Sequence, residues 1–160
     1  MKVSSQSKFY DAISISDVAL DMDELIKEAH ANNGESGAVV TFTGAVRVSD
    51  EEQGLTGMTL EHYPGMTESQ LASILEEAEE RWRLTRMLVS HRVGYLAPGD
   101  PIVFVATAGL HRKEAFEAAE FIMDYLKKKA TFWKKEHYGD RTQWVEAKES
   151  DEQAAARWER

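Results

Sequence analysis

The sequence predicts an α+β fold with a largely antiparallel sheet, in a single domain. Three observations lead there. The 160 residues are 42% hydrophobic and 29% charged, the balance of a folded chain with one core. No internal repeat, low-complexity tract or Pro/Gly/Ser-rich linker divides them. Apolar strands come in pairs between helices, not in one-for-one alternation with them, which favours antiparallel pairing over a parallel sheet.

Phe9–Ile15 is a possible opening strand. Asp17–Ala31 reads as a first helix, capped by Asp17 or Asp21, with Met22, Leu25, Ile26 and Ala29 as its apolar stripe and Asn32-Asn33-Gly34 as its stop. Gly37–Arg47 (GAVVTFTGAVR) is β-branched and apolar, hence a strand, and Gly44 within it suggests a bulge or a close backbone approach. Val48–Gly57 (VSDEEQGLTG) is polar and acidic and is expected to be a mobile loop. Met58–His62 resumes as a strand, and Pro64-Gly65 turns the chain.

Thr67–Trp82 is the clearest helix: Thr67 and Gln70 form a capping-box pattern, and Leu71, Ile74, Leu75, Ala78 and Trp82 recur at helical spacing. Leu84–Val93 reads as a strand, Leu96–Pro101 as a turn and Ile102–Ala108 as a buried strand. From His111 to about Glu136 the spacing of Ala115, Ala119, Ile122, Leu126, Ala130 and Trp133 predicts one long helix. Thr142–Ala147 closes the order as a strand. Residues 1–160 are expected to be one domain, with 1–8 and 149–160 as flexible tails; the charged stretch from Lys148 to Arg160 reads as either a short helix or a disordered segment.

Composition narrows function. The net charge of -9 argues against nucleic-acid binding. No apolar run approaches the roughly 18 residues of a membrane span, and Met1–Tyr10 is too polar for a signal peptide, so a soluble, cytoplasmic protein is expected. There is no cysteine, which excludes disulfides, thiolate metal sites and thiol nucleophiles. GxGxxG, Walker A, GxSxG and HExxH patterns are absent, and no His/Asp/Glu spacing matches a zinc motif, so no metal is assigned. Glu61 and His62 point to opposite faces of a strand and read as packing residues.

Charge is nonetheless focused. Seven Lys or Arg against four acids lie between His111 and Lys135, a local excess of +3 on an acidic chain. Lys127 and Lys134 are seven residues apart, close to two helical turns, with small Ala130 and Thr131 between them on the same face. Such a pair could clamp an anionic or carbonyl-bearing ligand and serve as base, nucleophile or electrostatic stabiliser; a solvated lysine face has the same spacing. His111-Arg112 at a helix N-terminus suits a phosphate, or pairs locally with Glu114 or Glu117. Arg47, at a strand end beside the acidic loop, could reach the same ligand or lie free on the surface.

Taken together, GAVVTFTGAVR (37–47), LEHYPGMTE (60–68) and HRKEAFEAAEFIMDYLKKKATFWKKE (111–136) resemble the large, catalytic subunit of molybdopterin synthase, the MoaE family. HRVGYLAPGDPIVFV (91–105) and Trp144-Val145-Glu146-Ala147 fit as well, so the similarity runs over roughly residues 37–158. The resemblance implies an α/β hammerhead fold with a further antiparallel sheet. It implies a homodimer with one small ubiquitin-like sulfur-carrier subunit on each copy, a heterotetramer. The carrier's C-terminal Gly-Gly, as a thiocarboxylate, would deliver sulfur to cyclic pyranopterin monophosphate in two rounds, forming the molybdopterin dithiolene. No cofactor is implied, because the carrier brings the sulfur.

By the same resemblance Lys127 and Lys134 are catalytic. Arg47, His111 and Arg112 bind substrate, the His-Arg pair being supplied by the neighbouring subunit, and Glu136 supports. Two departures bear on shape. Gly109-Leu110 stands where the family often has Ser-Ala, and Thr131 replaces a common proline, an exchange expected to leave the helix continuous. A non-catalytic module binding the pterin phosphate or the carrier tail is the alternative; a dimerisation scaffold would leave the Lys, His and Arg placement unexplained.

Overall fold

A computed structural model describes residues 7–31, 34–48, 54–145 and 149–159. The expected Asn32-Asn33 stop, half of the acidic loop (49–53) and Glu146-Ala147 lie outside them. After a 3-10 turn at Tyr10–Ala12, the elements are β1 (Ile13–Ser16), α1 (Met22–Ala29), β2 (Ala38–Ala45), β3 (Gly57–His62), α2 (Met66–Arg81), β4 (Leu84–Arg92), β5 (Gly94–Leu96), β6 (Pro101–Gly109), α3 (Arg112–Lys129), β7 (Phe132–Tyr138), β8 (Arg141–Val145) and α4 (Glu149–Ala156). No helix among the described residues is long and apolar enough to cross a membrane.

The strands make two sheets. One has the order β1-β4-β6-β2, parallel only between β1 and β4; the other, β5-β3-β7-β8, is wholly antiparallel. The α+β expectation therefore holds, with mostly antiparallel pairing. Strand alternation divides the first sheet's residues between two cores. Met87, Val89, Val103 and Val105 meet Leu71, Ile74 and Leu75 of α2 and Phe121, Ile122 and Tyr125 of α3. Leu88, Phe104 and Ala106 face the other way, toward Ala29 and Leu25 of α1. A third cluster, Val46, Met58, Leu60, Val93 and Leu96, with Ile102 and Phe132 against it, joins the second sheet to the first.

Local chemistry places several boundaries. Asp21, not Asp17, caps α1, its Oδ1 accepting from the Glu24 N–H at 3.2 Å. The Gly44 reading is borne out: the β2–β6 register shifts between Gly44 and Ala45, and a Cβ on Gly44 would sit 2.9 Å from Val103 Cγ1. Gly37 packs so closely on the Leu110 carbonyl that any side chain there would collide with it.

Two expectations are corrected. Thr67 does not cap α2. The N-cap is Gly65, whose N–H is taken by the Glu68 carboxylate. Thr67 is instead fully buried; its hydroxyl accepts from the Tyr63 N–H (3.0 Å) and donates to the Thr131 carbonyl (2.9 Å). Gln70 Oε1 accepts from the Thr131 N–H at 2.8 Å.

That pair explains the second correction. The expected helix from His111 to Glu136 stops at Lys129, and Phe132–Tyr138 is a strand. Side chains of α2 satisfy both backbone groups of Thr131, and Ala130 is already extended (φ -85, ψ 133). β7 then gains full ladders to β3 and β8, which a continued helix would forgo. Thr131 thus does not prolong the helix. Lys134 and Glu136 lie on a strand, and Trp133, assigned above to the helix stripe, is exposed on the outer face of the second sheet.

Of the two readings of the charged tail, residues 149–156 take the short helix, α4, and it is packed against the core. Ala155 is buried, and Trp158 packs edge-on against Trp82 and Phe121. Asp124 on α3 accepts from Trp158 Nε1 (2.7 Å) and from Arg157 (2.8 Å), and Lys128 pairs with Glu159 at 3.0 Å.

Candidate functional site

A cleft of about 430 Å³ opens where the C-terminal end of α3 meets the inner face of the second sheet. Each wall follows from strand or helix periodicity. On β7, Phe132, Lys134 and Glu136 share one face, because successive residues alternate. Across the ladder, Leu60 is paired with Lys134 and Met58 with Glu136, giving the cleft an apolar floor. α3 contributes Leu126 and Lys127 from its last turn, and α4 contributes Asp151.

Arg47 enters just past the β2 bulge, beside Ala45. Its neighbour Val46 is tied at both backbone groups to the 97–100 turn, donating to Asp100 O (2.9 Å) and accepting from Gly99 N–H (2.8 Å). Asp100 Oδ2 in turn accepts from the Ala97 N–H at 2.9 Å. This latch fixes the direction in which Arg47 leaves the sheet.

Three of the expected site residues, Arg47, Lys127 and Lys134, therefore share one cleft with a fourth, Glu136. The geometry that brings the lysines together is not two turns of one helix but a helix end facing a strand. Arg47 and Lys127 are exposed, Lys134 is half-buried and Glu136 is buried, its Oε2 accepting from the Tyr138 hydroxyl at 3.1 Å. Lys127 also sits where the negative end of the α3 dipole favours a cation. Three cations over an apolar floor can hold an anion and polarise a carbonyl bound with it.

His111 and Arg112 are not brought to this cleft. They lie exposed at the opposite end of α3, about 23 Å from Lys127 along the helix. Within one chain they form no site with the lysines.

One cleft residue was not singled out from sequence. His91 lies on β4, on the same face as Met87 and Val89, and is only 5% exposed. Its ring stacks on Phe132 with centroids 4.0 Å apart and planes 18° apart. Nδ1 is 2.9 Å from the Arg92 carbonyl. Burial lowers its pKa from 6.5 to about 4; the Arg92 hydrogen bond opposes this, and the charges of Lys127 and His62 add to it. The available signal was a histidine at an inward position of an apolar strand, MLVSHRV. Among the described residues no three His, Asp or Glu side chains converge as a metal site.

Fold and cleft together define a class: a two-sheet α+β protein whose cationic cleft, assembled from a helix end and a strand, fits an anionic, carbonyl-bearing ligand. Comparison with known proteins makes this specific. Residues 15–129 match the family model described as MoaE protein, and the chain belongs to that family. It is 57% identical over 128 residues to the molybdopterin synthase catalytic subunit of Escherichia coli K12, covering 80% of this chain and 85% of the relative. A solved structure of molybdopterin cofactor biosynthesis protein E from Burkholderia multivorans superposes with a TM-score of 0.78 at 41% identity, over 93% of this chain and 97% of that one. A Helicobacter pylori chain, solved as a complex of subunits 1 and 2 of molybdopterin-converting factor, shares the fold with a TM-score of 0.72 at 24% identity, over 84% of this chain and 90% of that one.

Proposed function

We propose that this chain is the catalytic subunit of a molybdopterin synthase. It moves sulfur from the C-terminal thiocarboxylate of a small ubiquitin-like carrier to cyclic pyranopterin monophosphate, and two transfers complete the dithiolene. The observation that carries the reading is the convergence of Lys127, Lys134 and Arg47 in one open cleft of a chain without cysteine. Sulfur must then come from outside the chain, and the cleft supplies charge where a thiocarboxylate and a phosphate need it.

In this reading Arg47 helps hold the substrate's anionic group. Lys127 and Lys134 polarise the thiocarboxylate carbonyl, stabilise the oxyanion that develops there and donate protons as the pterin ring opens. Glu136, buried on the same strand face as Lys134 and held by the Tyr138 hydroxyl, supports the strand's polar face. His111 and Arg112 serve the cleft of a second copy, which accounts for their distance from the lysines in their own chain.

The test is product formation from cyclic pyranopterin monophosphate, thiocarboxylated carrier and the purified chain. Dithiolene product that disappears with Lys127→Ala supports the reading. Tight carrier binding without product refutes it in favour of a binding module.

A further inference from the structure

His91 has no task in the reading above, yet its position is closely determined. The Arg92 carbonyl can only accept, so Nδ1 of His91 carries the proton and Nε2 carries the lone pair. One ring face is covered by Phe132, which fixes the ring plane. Among the described residues no hydrogen bond reaches Nε2, and the residue lines the cleft.

The charges that act on it are Lys127 from α3 and His62 from β3, with Arg92 next along β4; Arg47, Lys134, Glu136 and Asp151 line the same cleft. Lys127 and His62 both disfavour a protonated imidazole. With its pKa held at about 4, the ring is charged in only about one molecule in a thousand at pH 7. So weak a base is poorly matched to proton abstraction. As a hydrogen-bond acceptor it is always available.

Among the described residues that line the cleft, no other side chain is a neutral acceptor. Arg47, Lys127 and Lys134 offer only donors, and Glu136 and Asp151 are carboxylates that would repel an anionic substrate. A heterocycle with N–H groups needs an acceptor that adds no negative charge. We propose that His91 is a substrate-contacting residue whose Nε2 accepts a hydrogen bond from an N–H of the heterocycle held in the cleft. This rests on the reading of the chain as a pterin-converting enzyme.

The experiment uses the full chain with thiocarboxylated carrier, and measures both turnover and equilibrium binding of cyclic pyranopterin monophosphate. His91→Phe keeps a ring to stack on Phe132 and removes the acceptor. His91→Gln can donate to the Arg92 carbonyl and still present an oxygen to the cleft. Phe is expected to raise KM and Kd by about tenfold, the loss of one buried hydrogen bond, with kcat within about threefold. Gln should recover most of that loss. The proposal is overturned if Phe leaves KM and Kd within about twofold of wild type, or if Gln binds no better than Phe. Should Phe lower Tm by more than about 5 °C, His91→Met takes its place under the same criteria. A wild-type chain that makes no product refutes the enzyme reading, while the binding comparison still decides His91.

Discussion

Thr67 carries a disproportionate share of the site's geometry, and Thr67→Val tests that directly. Valine matches threonine in shape but neither accepts from the Tyr63 N–H nor donates to the Thr131 carbonyl. Leaving a buried polar group unpaired costs about 1–3 kcal/mol. Both orphaned groups are only partly buried, so the lower end applies, about 1–1.5 kcal/mol each. The extra methyl returns about 0.8 kcal/mol. The net loss is about 1.2–2.2 kcal/mol, which at a urea m-value of about 2 kcal/mol/M moves the unfolding midpoint down by about 0.6–1.1 M. Because Thr131 is the pivot between Lys127 on α3 and Lys134 on β7, turnover should fall about tenfold at unchanged carrier affinity. Thr67→Ser keeps both hydrogen bonds and should restore turnover. A midpoint shift below about 0.2 M refutes the stability argument. A full shift with unchanged turnover refutes the link from this clamp to the lysines.

Lys127→Ala should lower turnover by roughly a hundredfold or more while leaving the urea midpoint and carrier docking intact; near-normal product formation would remove Lys127 from the chemistry. Arg112→Ala should raise KM for the pterin more than it lowers kcat, and a pure kcat loss would count against phosphate binding. Asp124→Ala removes the acceptor of both Trp158 Nε1 and Arg157, so it should cost about 1–2 kcal/mol and speed proteolytic loss of the segment after Val145. His91 also predicts a pH dependence. Its folded pKa of about 4 lies below the unfolded 6.5, so the unfolded chain binds the extra proton first as pH falls. This contribution to stability is intact above pH 6.5 and is lost progressively toward pH 4, by roughly 3 kcal/mol in all. Urea titrations of His91→Phe should show a shallower decline over that window, and an unchanged slope would contradict the burial argument.

Much of the fold was legible because its signals are local. The β2 bulge follows from Gly44 in a β-branched run, and α2 follows from the spacing of Leu71, Ile74, Leu75 and Ala78. The antiparallel bias follows from strands arriving in pairs. The switch from α3 to β7 was not legible. The apolar period of Ala119, Ile122 and Leu126 runs on through Ala130 and Trp133, so a helix-period count continues past the true end. What ends the helix is Thr67 and Gln70, some sixty residues earlier in sequence and adjacent only once α2 packs on α3. The aromatic, β-branched run Thr131-Phe132-Trp133 was the one local hint.

The site divides in the same way. By itself the sequence determined which residue types were available: two lysines, an arginine beside a bulge, a His-Arg pair at a helix start and no thiol. Those depend on composition and motif, and they carry the family with them. Only the tertiary structure decided which of them meet. It placed Lys127 and Lys134 on different elements facing one cleft, left His111 and Arg112 at the far end of α3, and added a buried, neutral His91. The physical reason is range. Periodicity and capping act over three or four residues, whereas ladder pairing, burial and the charge felt by an imidazole come from segments distant in sequence that pack together.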